Sequence, residues 1–186
     1  MAESFPRAQK SERGYRVDQV EKFLAEARAA FAQLNSGVSE YTAATIRTTA
    51  FTLDKGGYQI NAVDEALERL EAVFYQKERE QKIAVLGAPG WSELVNEQIK
   101  EVVARLKREP GKKFKRSGPL RQGYSRSGVD AFADLLLGHF ENTGHLSADQ
   151  VRKIAFIQQS NGYQEAQVDA VLDRVVELLL NEEFGS

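Results

Sequence analysis

Residues 13–24 read RGYRVDQVEKFL, and the pattern in this stretch recurs three more times along the 186-residue chain. In each copy, a valine stands five residues after the tyrosine of a Gly-Tyr pair, an acidic residue follows that valine directly, and a large apolar residue lies sixteen residues after the tyrosine. The pairs are Gly14-Tyr15, Gly57-Tyr58, Gly123-Tyr124 and Gly162-Tyr163; the valines are Val20, Val63, Val129 and Val168; the acids are Glu21, Asp64, Asp130 and Asp169; and the apolar residues are Phe31, Phe74, Phe140 and Leu179. A pattern repeated at fixed offsets predicts a repeat architecture.

Each copy is predicted to contain one amphipathic helix, because apolar residues recur at helical spacing from the valine onward. The third residue after the tyrosine is Asp18, Asn61 or Ser127 in three copies, which predicts an N-cap there, with the acid three positions later completing a capping box. The fourth copy has Ala166 at this position, so its helix is expected to be less well capped or to begin one residue earlier, at Glu165.

The glycine of each pair is predicted to supply a turn with positive φ, and the tyrosine to fold back onto the beginning of the helix. Because the tyrosines and the helix-face phenylalanines recur at identical offsets, they are expected to form the shared core of each copy rather than to line a ligand pocket.

The copies are of two types, distinguished by an upstream phenylalanine. In type A this residue lies nine positions before the glycine, and in type B it lies six positions before it and follows an Arg-x-x-x-Phe pattern. The type A residues are Phe5 and Phe114, and the type B residues are Arg47 with Phe51 and Arg152 with Phe156. The order A-B-A-B indicates an internal duplication. Each type B copy is predicted to carry an extra helix, beginning near Ser39 and near Ser147, the latter in a capping box with Gln150.

The sequence therefore predicts an all-α protein of about seven helices. It consists of tandem helix-turn-helix or helical-hairpin repeats, with short extended or hairpin-like turns before each Gly-Tyr pair, in a duplicated A-B module. The predicted boundaries are 1–86 for the first repeat pair, 87–113 for a linker and bridging amphipathic helix, and 114–186 for the second repeat pair. Within the linker, the bridging helix is expected to begin at Ser92 and to end at Pro110-Gly111.

Composition narrows the possible functions. With 42% hydrophobic and 28% charged residues, the chain has the composition of an ordinary globular protein. Cysteine is absent, which excludes disulfides, thiol nucleophiles and thiolate metal sites. No apolar run approaches the roughly 18 residues that a spanning helix needs, and the N-terminus lacks a signal-peptide core. A cytoplasmic location is therefore expected, with any membrane contact peripheral.

No catalytic, cofactor or metal site is expected. His139, Glu141 and His145 do not have the spacing of a zinc site. The four repeated acids are each placed at a helix start, where a structural role suffices, and no phosphate loop, nucleophile elbow or His-centred triad can be assembled.

Residues 107–126 form a basic stretch with eight Lys or Arg residues and one acid, a net charge of +7. Since the whole chain carries −2, the remainder carries about −9. Three interpretations stay open: a solvated linker that offsets acidic helices, a contact with an anionic membrane or acidic partner, and a nucleic-acid contact.

The string from Phe5 to Leu24, with its Arg-Gly-Tyr, acidic helix start, Val-Glu and Phe-Leu, resembles the N-terminal motif of the DivIVA family. Phe114, Gly123, Tyr124, Val129, Asp130 and Phe132 repeat it, and the type B copies keep its second half. Four copies in one chain look like the DivIVA-domain repeat proteins of high-GC Gram-positive bacteria.

The resemblance implies a non-enzymatic protein of cell division or polar growth that binds the inner membrane surface and recruits partners. In that family the motif domain pairs with a second copy, so types A and B could pair within this chain, which would allow a monomer or a homodimer. The family's membrane contact uses an exposed Phe-Arg before Gly-Tyr, and its nearest counterpart here is Leu120-Arg121.

Three functions follow as hypotheses: an adaptor or interaction module for division, polar growth or cell-envelope proteins; alternatively a nucleic-acid-associated protein that uses residues 107–126; and an enzyme with a dispersed site. The Gly-Tyr pairs are expected to be structural. The candidate interaction surface comprises Arg13, Lys55, Leu120, Arg121, Lys112, Lys113, Lys115 and Arg116.

Overall fold

A computed structural model describes residues 5–9, 11–33 and 41–185. The helices within these ranges are α1 (Val17–Gln33), α2 (Ala43–Arg47), α3 (Ile60–Leu106), α4 (Arg126–Phe140), α5 (Ala148–Arg152) and α6 (Glu165–Gly185), and the strands are β1 (Arg13–Tyr15), β2 (Leu53–Lys55), β3 (Gln122–Tyr124) and β4 (Gln158–Ser160). The protein is 64% helix and 9% strand, so the predicted all-α class is confirmed only as a largely helical fold, which also contains two small sheets.

The described part of the chain contains six helices where about seven were expected. The difference lies in α3, which joins the helix of the first type B copy to the predicted bridging helix. Gly87 interrupts it with non-helical angles (φ 71°, ψ 162°), and Pro89 follows inside the same element. The bridging helix ends at Leu106, four residues before the predicted Pro110.

The chain divides into two compact units, residues 1–82 and 83–186. Each unit contains one type A and one type B copy. The predicted linker, 87–113, falls within the second unit.

A two-stranded antiparallel sheet joins type A to type B in each unit. In the first unit β1 pairs with β2, with Gly14 opposite Asp54. In the second unit β3 pairs with β4, with Gly123 opposite Gln159. The type B strands end just before their Gly-Tyr pairs, as predicted, whereas the type A strands contain theirs.

Three of the four long helices, α1, α3 and α4, begin earlier than predicted. The amide of each repeated valine donates to the carbonyl four residues before it, at Arg16, Gln59, Ser125 and Gln164, over 2.9 to 3.3 Å. The prediction of N-caps at Asp18, Asn61 and Ser127 was therefore wrong, because these residues already lie inside the first turn. Asp18 instead accepts a 2.7 Å hydrogen bond from the Arg16 side chain, which lowers the pKa of the Asp18 carboxyl.

Two other predicted helix starts have clear outcomes. The start of α6 at Glu165 is confirmed. The capping box of Ser147 and Gln150 is also confirmed at α5. Ser39, predicted to begin the corresponding helix of the first type B copy, lies outside the described residues; α2 begins at Ala43 with Thr42 as its N-cap.

Each unit has its own apolar cluster at the start of its two long helices. In the first unit the buried residues are Val20, Tyr58 and Val63. In the second unit they are Phe114, Val129, Tyr163 and Val168. The repeated valine is thus buried in every copy, where it packs the two helices against each other.

Candidate functional site

The tyrosine of each type B copy is hydrogen-bonded to the acid of the type A copy in the same unit. The hydroxyl of Tyr58 donates to Glu21 over 2.7 Å, and the hydroxyl of Tyr163 donates to Asp130 over 2.8 Å. Sequence spacing suggested that each tyrosine serves its own helix. The contacts cross between copies instead.

The acid of each type B copy in turn lies near the tyrosine of the type A copy. After burial, Asp64 raises the pKa of Tyr15, and Asp169 raises that of Tyr124. All four repeated acids are therefore close to a tyrosine of the other copy in the same unit.

The same contacts raise the pKa of every motif tyrosine. For Tyr58 the hydrogen bond to Glu21 is the main cause and burial adds to it. For Tyr15 and Tyr124 burial comes first, followed by the nearby carboxylate. For Tyr163 burial and then the Asp130 hydrogen bond raise the pKa to about 12. All four phenols are accordingly protonated at neutral pH and able to donate.

The upstream phenylalanines cross in the same way. Phe5 and Phe114 of type A pack edge-on against the type B tyrosines, with ring centroids 5.3 Å apart in both units. Phe51 and Phe156 of type B pack against the type A tyrosines at 5.4 and 5.2 Å. An aromatic pair at this separation stabilises a fold by about 0.5–1.5 kcal/mol beyond the contribution of its buried area. Each unit contains two such pairs, and both form only when the two copies are present.

The motif glycines are needed for close approach of two backbones. The predicted positive φ at these glycines was wrong, since the positive values fall one residue earlier in type B, at Gly56 (φ 69°) and Asn161 (φ 57°). A Cβ atom on Gly14 would lie 2.1 Å from the carbonyl oxygen of Tyr58, and one on Gly123 would lie 2.3 Å from that of Tyr163. Only glycine permits this contact.

The predicted interaction residues fall in different places. Arg13 and Lys55 are exposed cross-strand neighbours in the first unit. The other six lie in the second unit. Leu120 is 98% exposed in a turn where the Ser117 hydroxyl donates to the carbonyl of Arg121 over 3.0 Å. The structure thus presents Leu120 and Arg121 together on one turn.

Lys113 does not belong to an exposed surface, which corrects its inclusion there. Its side chain is only 3% exposed, and its ammonium group donates to the carbonyl oxygen of Leu106 and lies 3.5 Å from Asp134. The charge is buried because it satisfies a carbonyl at the end of α3 and has an acid nearby.

Only some of the remaining basic residues in the described stretch 107–126 are both exposed and without a carboxylate partner in a salt bridge. Lys112 pairs with Glu109 at 2.6 Å, and Lys107 pairs with Glu141 at 2.7 Å. Arg108, Lys115, Arg116 and Arg121 are exposed, whereas Arg126 is half-buried. Charge counting could not separate these groups, since it does not report which cations face a carboxylate.

His139 is a buried polar bridge at the end of α4. Its Nδ1 accepts a hydrogen bond from the Leu146 amide over 3.1 Å, so Nε2 carries the proton and donates to Glu182 over 3.0 Å. In the ranges that the structure describes, no group of three or more His, Asp or Glu residues could hold a metal ion.

Sequence reasoning missed an open apolar groove of about 820 Å³ in the first unit. It lies between α1 and the first part of α3, with Leu24 and Phe31 on one wall and Ala66, Leu70 and Val73 on the other. Each of these residues has the spacing of a core residue, and sequence spacing does not show whether anything covers them.

No helix in the described ranges is long and apolar enough to cross a bilayer. No protein-family model, curated protein or solved structure matches this chain.

Proposed function

We propose that this chain is a non-enzymatic interaction module of the DivIVA type, an adaptor for bacterial division, polar growth or cell-envelope proteins. The observation that carries the proposal is the hydrogen bond between the two copies of each unit, from Tyr58 to Glu21 in the first and from Tyr163 to Asp130 in the second. It joins two copies of a motif within one chain, as the family joins two copies between chains. A duplicated A-B repeat architecture is part of the same proposal.

The role of the motif residues supports an adaptor rather than a catalyst. The four tyrosine rings, and the hydroxyls of Tyr58 and Tyr163, are occupied by contacts between the copies, so what remains for function is the outer surface. Among the described residues, Leu120, at 98% exposure, is the most exposed large apolar side chain. Arginine, here the neighbouring Arg121, is enriched at protein contacts.

Site-specific crosslinking in the source bacterium tests this proposal. A photoreactive amino acid at position 120 is expected to capture division or envelope proteins, and the protein is expected to be enriched at septa or poles. The same probe at Val85, which is 84% exposed, is the matched control. Capture that is equal at the two positions, together with uniform distribution in cells, would contradict the proposal.

A nucleic-acid-associated protein is the second candidate, favoured by the exposed cations Arg108, Lys115, Arg116 and Arg121. Four phosphate contacts predict that log K falls with log salt with a slope of about −3.6. Neutralising these four residues should abolish DNA binding, whereas neutralising an equal number of exposed lysines elsewhere should not. The control lysines are Lys22, Lys82, Lys100 and Lys153.

The proposed location is the cytoplasm, with peripheral contact to the inner face of the cell membrane. Basic residues near Leu120 would contribute about 1 kcal/mol each at an anionic surface. Sedimentation with vesicles that contain anionic lipid should recover the wild-type chain and recover less of the Leu120→Ser/Arg121→Gln variant. Equal recovery on neutral vesicles would argue against this contact.

A further inference from the structure

The face that forms the apolar groove of the first unit has a counterpart in the second unit of the same chain. At equal distances from their tyrosines, Leu24 corresponds to Ala133, Ala66 to Val171, and Val73 to Leu178. The two faces can therefore be compared position by position.

In the second unit this face is covered by the last part of α3. Leu106 packs with Ala133 and Val171 around a void of only about 10 Å³. At the other end of the segment, the Trp91 indole N–H donates to the side chain of Asn181 on α6 over 3.0 Å. A single amphipathic helix, residues 91–106, thus spans the face.

The side chains of this face are more buried in the second unit, where the helix covers them, than in the first. Leu178 is 2% exposed and Val175 is fully buried, whereas their first-unit counterparts, Val73 and Leu70, are 46% exposed and half-buried. Phe31 at the end of α1 is 38% exposed. Large apolar side chains grouped in one open groove mark a site of association.

We propose that the groove of the first unit binds an amphipathic helix of a partner protein, in the way that residues 91–106 cover the corresponding face of the second unit. The proposal rests on the interaction role proposed above and adds to it the docking surface and the class of partner. Docking of a helix through residues spaced at three and four positions is a recurring mode of recognition.

The groove also indicates the chemistry of that helix. Its rim carries Arg28, Arg69 and Glu65, a net charge of +1. A partner helix with acidic residues beside its apolar stripe complements this rim. The covering helix of the second unit has the same character, with Glu93, Glu97 and Glu101 exposed along one side.

A labelled peptide of residues 88–108 is the probe, since this sequence already covers one version of the face. Fluorescence anisotropy with the full chain is expected to show saturable binding with half-saturation below about 100 μM. Ala66→Glu places a charge on the α3 wall of the groove and should weaken binding at least about tenfold. Ala29→Glu, on the exposed side of α1 away from the groove, should leave binding unchanged.

Val73→Asp provides a second variant at the open end of the groove, where the side chain is already 46% exposed and folding should tolerate the change. It should also weaken peptide binding, with an unchanged circular dichroism spectrum. Absence of binding, or binding that neither groove variant changes, would overturn the proposal.

Sedimentation velocity distinguishes a partner helix from a second copy of this chain as the occupant of the groove. If the chain is a dimer that Val73→Asp converts to monomer, a second copy occupies the groove and the partner-helix proposal fails. If crosslinking from position 120 still captures envelope proteins while the peptide does not bind, the groove proposal fails and the proposed function stands.

Discussion

The hydroxyl of Tyr163 donates to Asp130 across 2.8 Å, although the two residues are 33 positions apart and belong to different copies of the motif. Asp130 accepts a second hydrogen bond from the Gly111 amide over 2.6 Å, and the Tyr163 oxygen accepts one from the Lys113 amide over 3.2 Å. The phenol thus connects α4, α6 and the segment after α3. Loss of this one oxygen should affect all three.

Tyr163→Phe is expected to destabilise the second unit by about 1–3 kcal/mol, because it leaves a buried carboxylate and a buried amide each short of one partner. Tyr124→Phe, at a half-buried ring, should cost less. The chain's single tryptophan, Trp91, lies buried in the second unit, so urea unfolding followed by its fluorescence reports that unit. Equal losses of unfolding free energy for the two variants would show that the additional hydrogen bonds of Tyr163 do not stabilise the second unit.

The same tyrosine predicts a loss of stability at high pH. Burial, and then the Asp130 hydrogen bond, raise the pKa of Tyr163 from 10.0 to about 12. Between these values the folded chain holds a proton that the unfolded chain has released, so the free energy of unfolding falls as pH rises through this window. Urea unfolding of wild type and Tyr163→Phe should therefore converge as pH increases above about 10. Parallel curves would contradict the assignment.

Two glycines of the second unit should respond in opposite directions to the same substitution. A Cβ on Gly123 would meet the Tyr163 carbonyl oxygen at 2.3 Å, so Gly123→Ala should force the two copies apart and cost about 3 kcal/mol or more. Gly128 lies in the first turn of α4, where the nearest atom to a new Cβ is 3.7 Å away. Gly128→Ala should stabilise by about 0.5–1 kcal/mol. Trp91 fluorescence in urea checks both, and similar effects would refute the close-approach explanation.

The helical class, the buried valines and the capping box of Ser147 could be predicted because each depends on local spacing. The partner of each tyrosine could not, since identical offsets are compatible with contacts inside a copy or between copies. The N-caps were misplaced for a similar reason: a polar or acidic residue such as Asp18 suits the first helical turn as well as the position before it.

The candidate surface was predicted less well than the fold. Lys113 was placed on the surface by its charge, yet the carbonyl of Leu106 and the carboxylate of Asp134 make a buried position possible. The groove beside Val73 could not be found from the sequence, because it depends on a covering helix that the second unit has and that the described residues of the first unit do not supply.

A buried ion pair in the first unit gives a final test. Arg47 on α2 lies 3.1 Å from Glu71 on α3, with side chains 8% and 2% exposed. The position corresponding to Glu71 in the second unit is Val176, also buried. Glu71→Val alone should therefore destabilise the first unit by about 3–5 kcal/mol, because it removes one partner of a buried ion pair. The double variant Arg47→Met/Glu71→Val should recover most of that loss, since two apolar side chains of similar size can replace the pair. Hydrogen exchange of peptides from α2 and the first part of α3 measures the change locally, and Lys22→Gln, at an exposed residue of α1, is the control. If the double variant is no more stable than the single one, the cost arises from altered packing and not from the broken ion pair.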